Sequence, residues 1–406
     1  MPLSKITAAS ITDNSVTTAK VADDAITGAK IENNPTIAGN LTVSGGFIPS
    51  TSLSTRNIII NGDMSVAQRG TSSTSSNFQT VDRMSVGYGT ISVTQSQQSL
   101  TSGSPYEAGF NNFFRMANTS TSSSAATYVQ GYTIIEAQHI ANSGWNFKSS
   151  SSFITLSFWA RSSLQGTYYA FVVTDDGTDY YRSKAFALSA DTWTKVTFTI
   201  EGNSNLTIND DNGIGFTVNI VPHYATGYTG SNANTTSWYT LVSNDYMPDF
   251  AQSWSESSSA TFDVTGVQLE VGQVATPYKH ENFADNLARC QRYYFQVGKY
   301  PSSSGYGILG TFAAADTSSG FTLVDFPVYM RTEPTFSHSG TASDYSLYIT
   351  NAHKTGSGGF SASSGDILKH MYVYTEHSGG ITAGDAGHLT TNNNNTDAFL
   401  GFSAEL

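Results

Sequence analysis

The stretch Ile154-Thr-Leu-Ser-Phe-Trp-Ala160 alternates apolar side chains with others along its length. Because successive residues of a strand face opposite sides of a sheet, this alternation predicts a strand with one buried face. Residues 168–174 and 180–186 are also strand-like, and the turn Asp175-Asp176-Gly177 between them contains a glycine that can adopt positive φ. The stretch therefore predicts an antiparallel hairpin beside an alternating strand.

Short runs of the same kind continue on both sides of this hairpin. Residues 193–200 and 262–269 have the strand pattern, and turn residues separate such runs throughout residues 56–280. Seven or more strands within one segment of this length are enough for a large double-sheet domain. We therefore expect an all-β fold with a large β-sandwich over residues 56–280.

The composition excludes several classes of protein. Charged residues make up 12% of the 406 residues and aromatic residues another 12%, so long helices are disfavoured while rings can fill cores. The net charge of −12 is opposite to the basic surface that nucleic-acid binding needs. No run approaches about 18 apolar residues, which argues against membrane insertion. The single cysteine, Cys290, cannot form an internal disulfide.

The strand pattern gives way to a helical one at residues 281–297. Apolar and aromatic residues there are spaced by four, three and four positions as in a heptad seam: Phe283, Leu287, Cys290 and Tyr294. Asp285 and Arg289 have the spacing of an ion pair on a helix. We expect a linking helix that packs either on its own sandwich or at a three-fold junction between chains.

Residues 298–406 return to the strand pattern. The clearest runs are 307–312, 321–326 and 371–374. The length and the pattern predict a second, C-terminal β-sandwich.

The first 31 residues contain a repeat, which we place in a leader and connector over residues 1–55. Aliphatic residues recur at every fifth position: Ile6, Ile11, Val16, Val21, Ile26 and Ile31. A five-residue step keeps these side chains on one side of neither a helix nor a strand, so one chain cannot bury them alone. Several copies winding together would shelter them, and a disordered leader is the alternative.

A set of short motifs resembles the tail-fibre and other virion proteins of tailed bacteriophages. In chain order they are Asn61-Gly62-Asp63, Gln68-Arg69-Gly70, Asp82-Arg83, Ser157-Phe158-Trp159-Ala160-Arg161, Thr192-Trp193, Gly266-Val-Gln-Leu-Glu-Val-Gly272, Ala275-Thr-Pro-Tyr278 and Ala288-Arg-Cys-Gln-Arg-Tyr-Tyr294. Members of this family more often have tryptophan after the Asp-Arg pair, where this chain has Met84.

The resemblance implies a homotrimeric fibre of the virion, made in the host cytoplasm. It implies that residues 1–50 dock to tail or adaptor proteins, and that the C-terminal domain binds host cell-surface polysaccharide or lipopolysaccharide. It also implies that the sandwich over residues 56–280 is similar to a carbohydrate-binding jelly roll. A structural adaptor or collar fibre of the virion is the alternative function.

Candidate sugar-binding residues are aromatic side chains in segments rich in Gly, Ser, Asn and Thr, because aromatic faces stack on pyranose rings while neighbouring polar groups bind the hydroxyls. The candidates are Tyr224, Tyr228, Trp238, Tyr239, Tyr345 and Tyr348. Packing into a core is the open alternative for each of them.

Catalytic and metal-binding chemistry finds little support in the sequence. The adjacent carboxylates Asp175-Asp176 and Asp210-Asp211 lie beside Gly177 and Gly213, which is the chemistry of turns. A polysaccharide depolymerase would need two carboxyls across a groove, and we expect no enzyme. We expect no cofactor, and Asp210 and Asp211 are weak candidates for a structural Ca²⁺.

Overall fold

The computed structural model describes residues 56–299, 305–364 and 368–406. The predicted leader lies outside the described residues, and with it the six positions proposed for trimerisation and tail attachment: Ile6, Ile11, Val16, Val21, Ile26 and Ile31.

Residues 56–280 form a sandwich of two antiparallel sheets. Its strands are β1 (Ser72–Ser73), β2 (Ser85–Gly89), β3 (Val93–Ser99), β4 (Asn112–Asn118), β5 (Tyr128–Glu136), β6 (Phe153–Ser162), β7 (Gly166–Thr174), β8 (Tyr180–Leu188), β9 (Thr194–Glu201), β10 (Ile214–Tyr224) and β11 (Thr261–Val271). Short helices α1 (Ser104–Glu107) and α2 (Ala137–Ala141) connect them. One sheet has the order β1-β3-β4-β11-β6-β9 and the other β2-β5-β10-β7-β8. The jelly-roll-like all-β prediction is confirmed.

Residues 154–160, which alternate in the sequence, form the middle of β6, and β6 lies between β11 and β9. Ile154, Leu156, Phe158 and Ala160 are fully buried between the two sheets. Trp159 faces the other side of its sheet and is only partly buried. The alternation read from the sequence therefore identifies which side chains enter the core.

The predicted hairpin is also present. Strands β7 and β8 pair in register from Gly166 opposite Leu188 to Thr174 opposite Tyr180, and Gly177 in the turn has a φ of 76°. That value lies in the region that a side chain makes unfavourable, which explains the glycine.

The linking helix is shorter than predicted. It is α3 (Phe283–Gln291), which begins where the side chain of Asn282 accepts hydrogen bonds from the backbone N–H groups of Ala284 and Asp285. Residues beyond it form strand β12 (Tyr294–Gly298). The prediction of a helix through residue 297 is therefore wrong at its C-terminal end, because these residues pair with a strand from the end of the chain.

The heptad seam predicted for this helix is only partly correct. Cys290 is fully buried against Ile60 and Val66, and Leu287 packs at the edge of the same cluster. Phe283, however, is 58% exposed, and Tyr294 lies in β12. Helix α3 therefore packs on its own sandwich.

The ion pair of the helix also differs from the prediction. Arg289 pairs with Glu281 at 2.6 Å, where the sequence suggested Asp285.

The C-terminal residues form a small sheet and a closed barrel. Their strands are β13 (Ile308–Ala314), β14 (Ser319–Asp325), β15 (Thr335–His338), β16 (Tyr345–Ile349), β17 (Ala352–Ser364), β18 (His370–His377), β19 (Ala386–Thr391) and β20 (Phe399–Ser403). Strand β20 lies between β12 and β15 in a three-stranded sheet. The barrel has the order β13-β14-β18-β17-β16-β19, and β13 and β19 pair to close it.

Most of the C-terminal strands form a closed barrel, where the sequence pattern predicted a sandwich. Alternating strands are common to both architectures, so the sequence pattern did not separate them. Closure gives every barrel strand two partners and leaves no exposed sheet edge.

Among the helices of the described residues, none is long and apolar enough to cross a membrane.

A buried ionic joint connects the sandwich to the C-terminal strands. The carboxylate of Glu405 pairs with Arg83 and lies 3.2 Å from Nη2 of Arg69, and both arginines belong to the sandwich. Arg83 is 1% exposed, and its guanidinium lies 3.6 Å from the ring centre of Tyr293. The guanidinium of Arg69 lies 3.5 Å from the ring centre of Tyr294.

Backbone hydrogen bonds complete this joint. Arg331 donates to the carbonyl oxygens of Ala404 and Glu405 at 2.8 and 2.9 Å and to that of Asn212 at 2.8 Å. The N–H of Ala404 donates to the carbonyl of Tyr293 at 2.7 Å. The end of the described chain is thereby fixed to the sandwich.

Replacing Glu405 by glutamine should lower the free energy of unfolding by about 3–5 kcal/mol, because Arg83 would remain buried without its counter-charge. Chemical denaturation of the full chain measures this change. The matched control is Glu107→Gln, since Glu107 is an exposed carboxylate in α1. Equal midpoints for the two variants would contradict the role given to the joint.

Candidate functional site

Three of the predicted sugar-binding residues, Tyr224, Tyr228 and Tyr239, belong to a covered aromatic cluster, here called the tyrosine cluster. It lies on the outer face of the five-stranded sheet and comprises Tyr169, Phe171, Val173, Tyr181, Val221, Tyr224 and Met247, with Tyr128, Ala185, Tyr228, Tyr239, Leu241, Tyr246 and Phe250 packed around them. The segment between β10 and β11 covers this face. The cluster is thus a second core of the sandwich.

Tyr224 of this cluster and Trp238 of the main core between the sheets have their polar atoms paired within the protein. Tyr224 is 5% exposed and its hydroxyl donates to the side-chain oxygen of Gln130. Trp238 is 9% exposed, and its indole N–H donates to the carbonyl oxygen of Glu201 at 2.7 Å. Tyr224 and Trp238 are therefore core residues, and the prediction that they stack on sugar is wrong.

Tyr228 and Tyr239 are partly buried in the same cluster. The ring of Tyr228 contacts those of Tyr128 and Tyr224, with centres 5.4 and 5.6 Å apart. The hydroxyl of Tyr239 donates to the carbonyl of Tyr246. Burial raises the pKa of Tyr239 and of Tyr246. The rings of Tyr228 and Tyr239 therefore cover the sheet.

A signal for this burial was present in the sequence. Residues 168–173 are apolar or aromatic on both faces of the strand, with Tyr168, Ala170 and Val172 in the main core and Tyr169, Phe171 and Val173 in the tyrosine cluster. A strand of this composition is covered on both sides. The aromatic segment that follows β10 supplies the cover.

Tyr345, a candidate from the C-terminal part of the chain, is also a core residue. It is fully buried, and its ring centre lies 4.4 Å from that of Phe360. Its hydroxyl accepts hydrogen bonds from the N–H and Oγ of Ser339, both at 3.0 Å, and donates to the carbonyl of Phe399 at 2.6 Å. Tyr345 is therefore a structural residue, and the prediction that it binds sugar is wrong.

Tyr348 is 38% exposed. It lies opposite His353 in the pairing of β16 with β17, and the two ring centres are 4.9 Å apart. The ring of Tyr306 stacks on His353 with centres 3.3 Å apart. The prediction for Tyr348 stays a prediction, now with Tyr306 and His353 as neighbours.

The sequence reasoning missed a second group of aromatic rings that are open to solvent on the barrel wall. Phe321 of β14 and Tyr372 of β18 are 39% and 40% exposed, and Tyr374 of β18 is partly exposed. The ring centre of Phe321 lies 6.4 Å from that of Tyr372 and 5.6 Å from that of Tyr374. We call these three residues the aromatic face.

The strand register explains how the aromatic face forms. Phe321 lies opposite Tyr374, and Leu323 opposite Tyr372, so the outward residues of the two strands are neighbours. The exposed carboxylates Asp325 and Glu376 lie at outward positions of the same two strands. The alternation in residues 321–326 and 371–374 could have identified this face, had exposed and buried sides been compared.

The carboxylates proposed as weak metal ligands accept hydrogen bonds within the protein, Asp211 in its own turn and Asp210 from a distant segment. Oδ1 of Asp211 accepts a hydrogen bond from the N–H of Gly213 at 2.8 Å, and Oδ1 of Asp210 accepts one from the amide of Asn142 at 2.7 Å. Within the described ranges, no cluster of three or more His, Cys, Asp or Glu side chains could hold a metal ion.

A cavity of about 840 Å³ beside α3 is lined by several cationic side chains that make ion pairs. Arg292 makes a bidentate pair with Glu136 at 2.8 and 2.9 Å, and Arg289 and Lys279 share Glu281. The arginine and hydrogen bonds from Tyr293 and Gln138 lower the pKa of Glu136 to about 2, although burial opposes this shift. The pair between Arg292 and Glu136 therefore ties the end of α3 to strand β5 of the sandwich.

Comparisons with known proteins give distant likenesses in structure. No family model and no curated protein matches the sequence. The solved structures with a similar shape include the enzymatically active domain of tailspike protein 4 of bacteriophage CBA120, with 10% identity and a TM-score of 0.30 over 53% of this chain and 21% of that chain.

Two further structures resemble the chain to a similar extent. A family 11 carbohydrate-binding module of Clostridium thermocellum, in complex with a β-1,3-1,4-mixed-linked tetrasaccharide, has 11% identity and a TM-score of 0.26 over 51% of this chain and 98% of that chain. A cyclase from Fischerella has 9% identity and a TM-score of 0.31 over 54% and 98%. Scores at this level carry no argument about function.

The two candidate tyrosines of the barrel should respond differently to loss of the hydroxyl. Tyr345→Phe should lower the free energy of unfolding by about 1–3 kcal/mol, because it leaves the partly buried N–H and Oγ of Ser339 and the carbonyl of Phe399 without this hydrogen-bond partner. Tyr348→Phe, the matched control at an exposed ring, should change it by less than about 0.5 kcal/mol. Denaturation of both variants measures the difference, and equal stabilities would contradict the structural role of Tyr345.

Proposed function

We propose that this chain is a tail-fibre protein of a tailed bacteriophage that binds host-surface glycan through the aromatic face of its barrel, without catalysis. The observation that carries the proposal is the aromatic face itself. Phe321, Tyr372 and Tyr374 are adjacent, partly free of neighbours and presented by two rigid strands.

The chemistry of this face suits a sugar chain. Aromatic rings offer apolar surface to the C–H groups of a pyranose, while polar groups at the margin accept hydrogen bonds from its hydroxyls. Rings presented by paired strands lose little conformational freedom when a ligand binds, which favours affinity.

The charges beside the face restrict the ligand. The carboxylates of Asp325 and Glu376 can accept hydrogen bonds from hydroxyl groups, and they repel anionic groups in the ligand. We therefore propose neutral stretches of capsular polysaccharide or lipopolysaccharide as the glycan.

The remaining parts of the proposal concern assembly. Residues 1–50 dock to tail or adaptor proteins, and three chains assemble through the aliphatic repeat. Three copies of the aromatic face on one particle act together, so each individual site needs only modest affinity. The protein then belongs to the virion and is made in the host cytoplasm.

The alternative function is that of a structural adaptor or collar fibre of the virion. A second alternative is a polysaccharide depolymerase. An adaptor predicts that particles carrying a disrupted aromatic face still adsorb to cells. A depolymerase predicts that the protein releases reducing ends from polysaccharide. Both outcomes contradict the proposed function.

Replacing Tyr372 by alanine should weaken glycan binding about 10- to 30-fold, because the loss of an aromatic anchor costs about 2 kcal/mol. The full chain is tested on an array of purified bacterial capsular polysaccharides and lipopolysaccharides. Point variants are used because removal of residues 298–406 would also remove the ionic joint.

The control for this experiment is Tyr106→Ala, since Tyr106 is 46% exposed and lies in α1 of the sandwich. It should bind the array as the unaltered protein does. A parallel Tyr348→Ala variant reports on the second group of exposed rings. If neither barrel variant differs from Tyr106→Ala, or if nothing on the array binds, the proposal is wrong.

The assembly is tested by measuring the mass of the full chain in solution at micromolar concentration. We expect three times the chain mass of 43.4 kDa, and replacing Val16 and Val21 by serine should dissociate the trimer by making the shared aliphatic layers polar. A monomer for the unaltered protein would contradict the trimer.

A further inference from the structure

A small pocket at one edge of the sandwich, here called the sandwich pocket, lies outside the barrel site described above. It has a volume of about 190 Å³. Three segments surround it: residues 123–125 between β4 and β5, residues 223–229 at the end of β10, and residues 249–256 before β11.

Two buried polar atoms in the lining side chains have no partner. Nδ1 of His223 and Oε1 of Gln252 are buried and make no hydrogen bond within the described residues. The other polar atom of each side chain is bonded: Nε2 of His223 lies 3.1 Å from Oγ of Ser255, and Nε2 of Gln252 donates to the carbonyl of Thr167 at 2.8 Å. Each side chain therefore makes one hydrogen bond and leaves one buried polar atom unsatisfied.

An unsatisfied buried polar atom costs about 1–3 kcal/mol, so a native structure that keeps two in one pocket needs an explanation. His223 is 8% exposed. A ligand that hydrogen-bonds to these side chains after a small rotamer adjustment would remove the cost.

The other lining groups define what such a ligand must offer. Asp249 accepts a hydrogen bond from the hydroxyl of Thr229 at 2.5 Å and has acceptor capacity to spare, and Glu256 is an exposed carboxylate. Phe250 is partly buried, with its ring centre 5.5 Å from that of His223. The lining contains no lysine or arginine among the described residues.

Burial lowers the pKa of His223 to about 4, so the ring is neutral at pH 7. The pocket is then rich in hydrogen-bond acceptors, carries negative charge and has one aromatic wall. A ligand that fits has several hydroxyl donors, an apolar face and no negative charge. Its size is limited to about one six-membered ring by the volume of the pocket.

We propose that the sandwich pocket binds a single neutral pyranose residue, as a second sugar site separate from the aromatic face. The hydroxyl groups of the sugar pair with Asp249, Gln252 and the His223–Ser255 pair. The face of the sugar that bears C–H groups lies against Phe250.

Other occupants fit less well. A metal ion would need at least three carboxylate, imidazole or thiol groups at coordinating distance, and the described residues hold no such cluster. An anion would face Asp249 and Glu256 without a compensating cation. A neutral polyol satisfies the acceptors and leaves the charge of the pocket unchanged.

Saturation-transfer NMR with a panel of methyl glycosides of common neutral hexoses and N-acetylhexosamines tests this site on the full chain. Ser253→Trp places a bulky side chain at the exposed rim of the pocket and should abolish the transfer. Asp249→Asn should weaken it about tenfold or more, since a charged acceptor is lost. Ser150→Trp, at an exposed loop position, is the control and should retain it.

The variant Tyr372→Ala separates this site from the aromatic face and should leave the transfer intact. Transfer that survives Ser253→Trp, or transfer that disappears only in Tyr372→Ala, would overturn the sandwich pocket while leaving the barrel site in place. An absence of transfer from every glycoside would overturn it as well. So would stabilisation of the unaltered protein by Ca²⁺ alone that Asp249→Asn removes. Dispersion of the amide spectrum confirms that each variant is folded.

Discussion

The carboxylate of Glu405, held between Arg69 and Arg83, is the interaction on which the arrangement of the described chain depends. Arg83 is buried, so its charge must be matched within the protein. The partner comes from the end of the chain, more than 300 residues away. Folding of the C-terminal strands is therefore coupled to that of the sandwich, and strand β12, which runs directly from α3 into the sheet with β20, is part of the same unit.

Several of the sequence motifs also have a structural role in the fold. The amide of Asn61 donates to the carbonyls of Val66 and Asp82 at 2.9 and 2.8 Å, and a Cβ at Gly62 would collide with the backbone oxygen of Val267. Asn286 of α3 donates to Oδ1 of Asn61 at 3.2 Å. These residues connect the start of the sandwich to the helix and to β11. Residues that resemble a family signature here serve to hold the fold together.

The strands and the hairpin could be predicted because their information is local. Alternation specifies which side of β6 is buried, and Gly177 specifies the turn between β7 and β8. The burial of Tyr224 and Tyr345 could not be read in this way, because it depends on contacts with residues distant in sequence, such as Gln130 and Phe399. A local composition of Gly, Ser and Asn suggested exposed loops, whereas tertiary packing decided the exposure.

The contrast between two sets of aromatic residues bears on function. Outside the five-stranded sheet, the tyrosine cluster is covered by the segment between β10 and β11, and its buried polar atoms are paired inside the protein. On the barrel wall, Phe321 and Tyr372 are at similar outward positions of paired strands, yet no described segment covers them. Exposed aromatic surface is unfavourable in water and adds nothing to the core of the barrel. Adjacent rings that remain uncovered are typical of binding surfaces, so the aromatic face, rather than the loop aromatics, is the part of this protein to test against glycans.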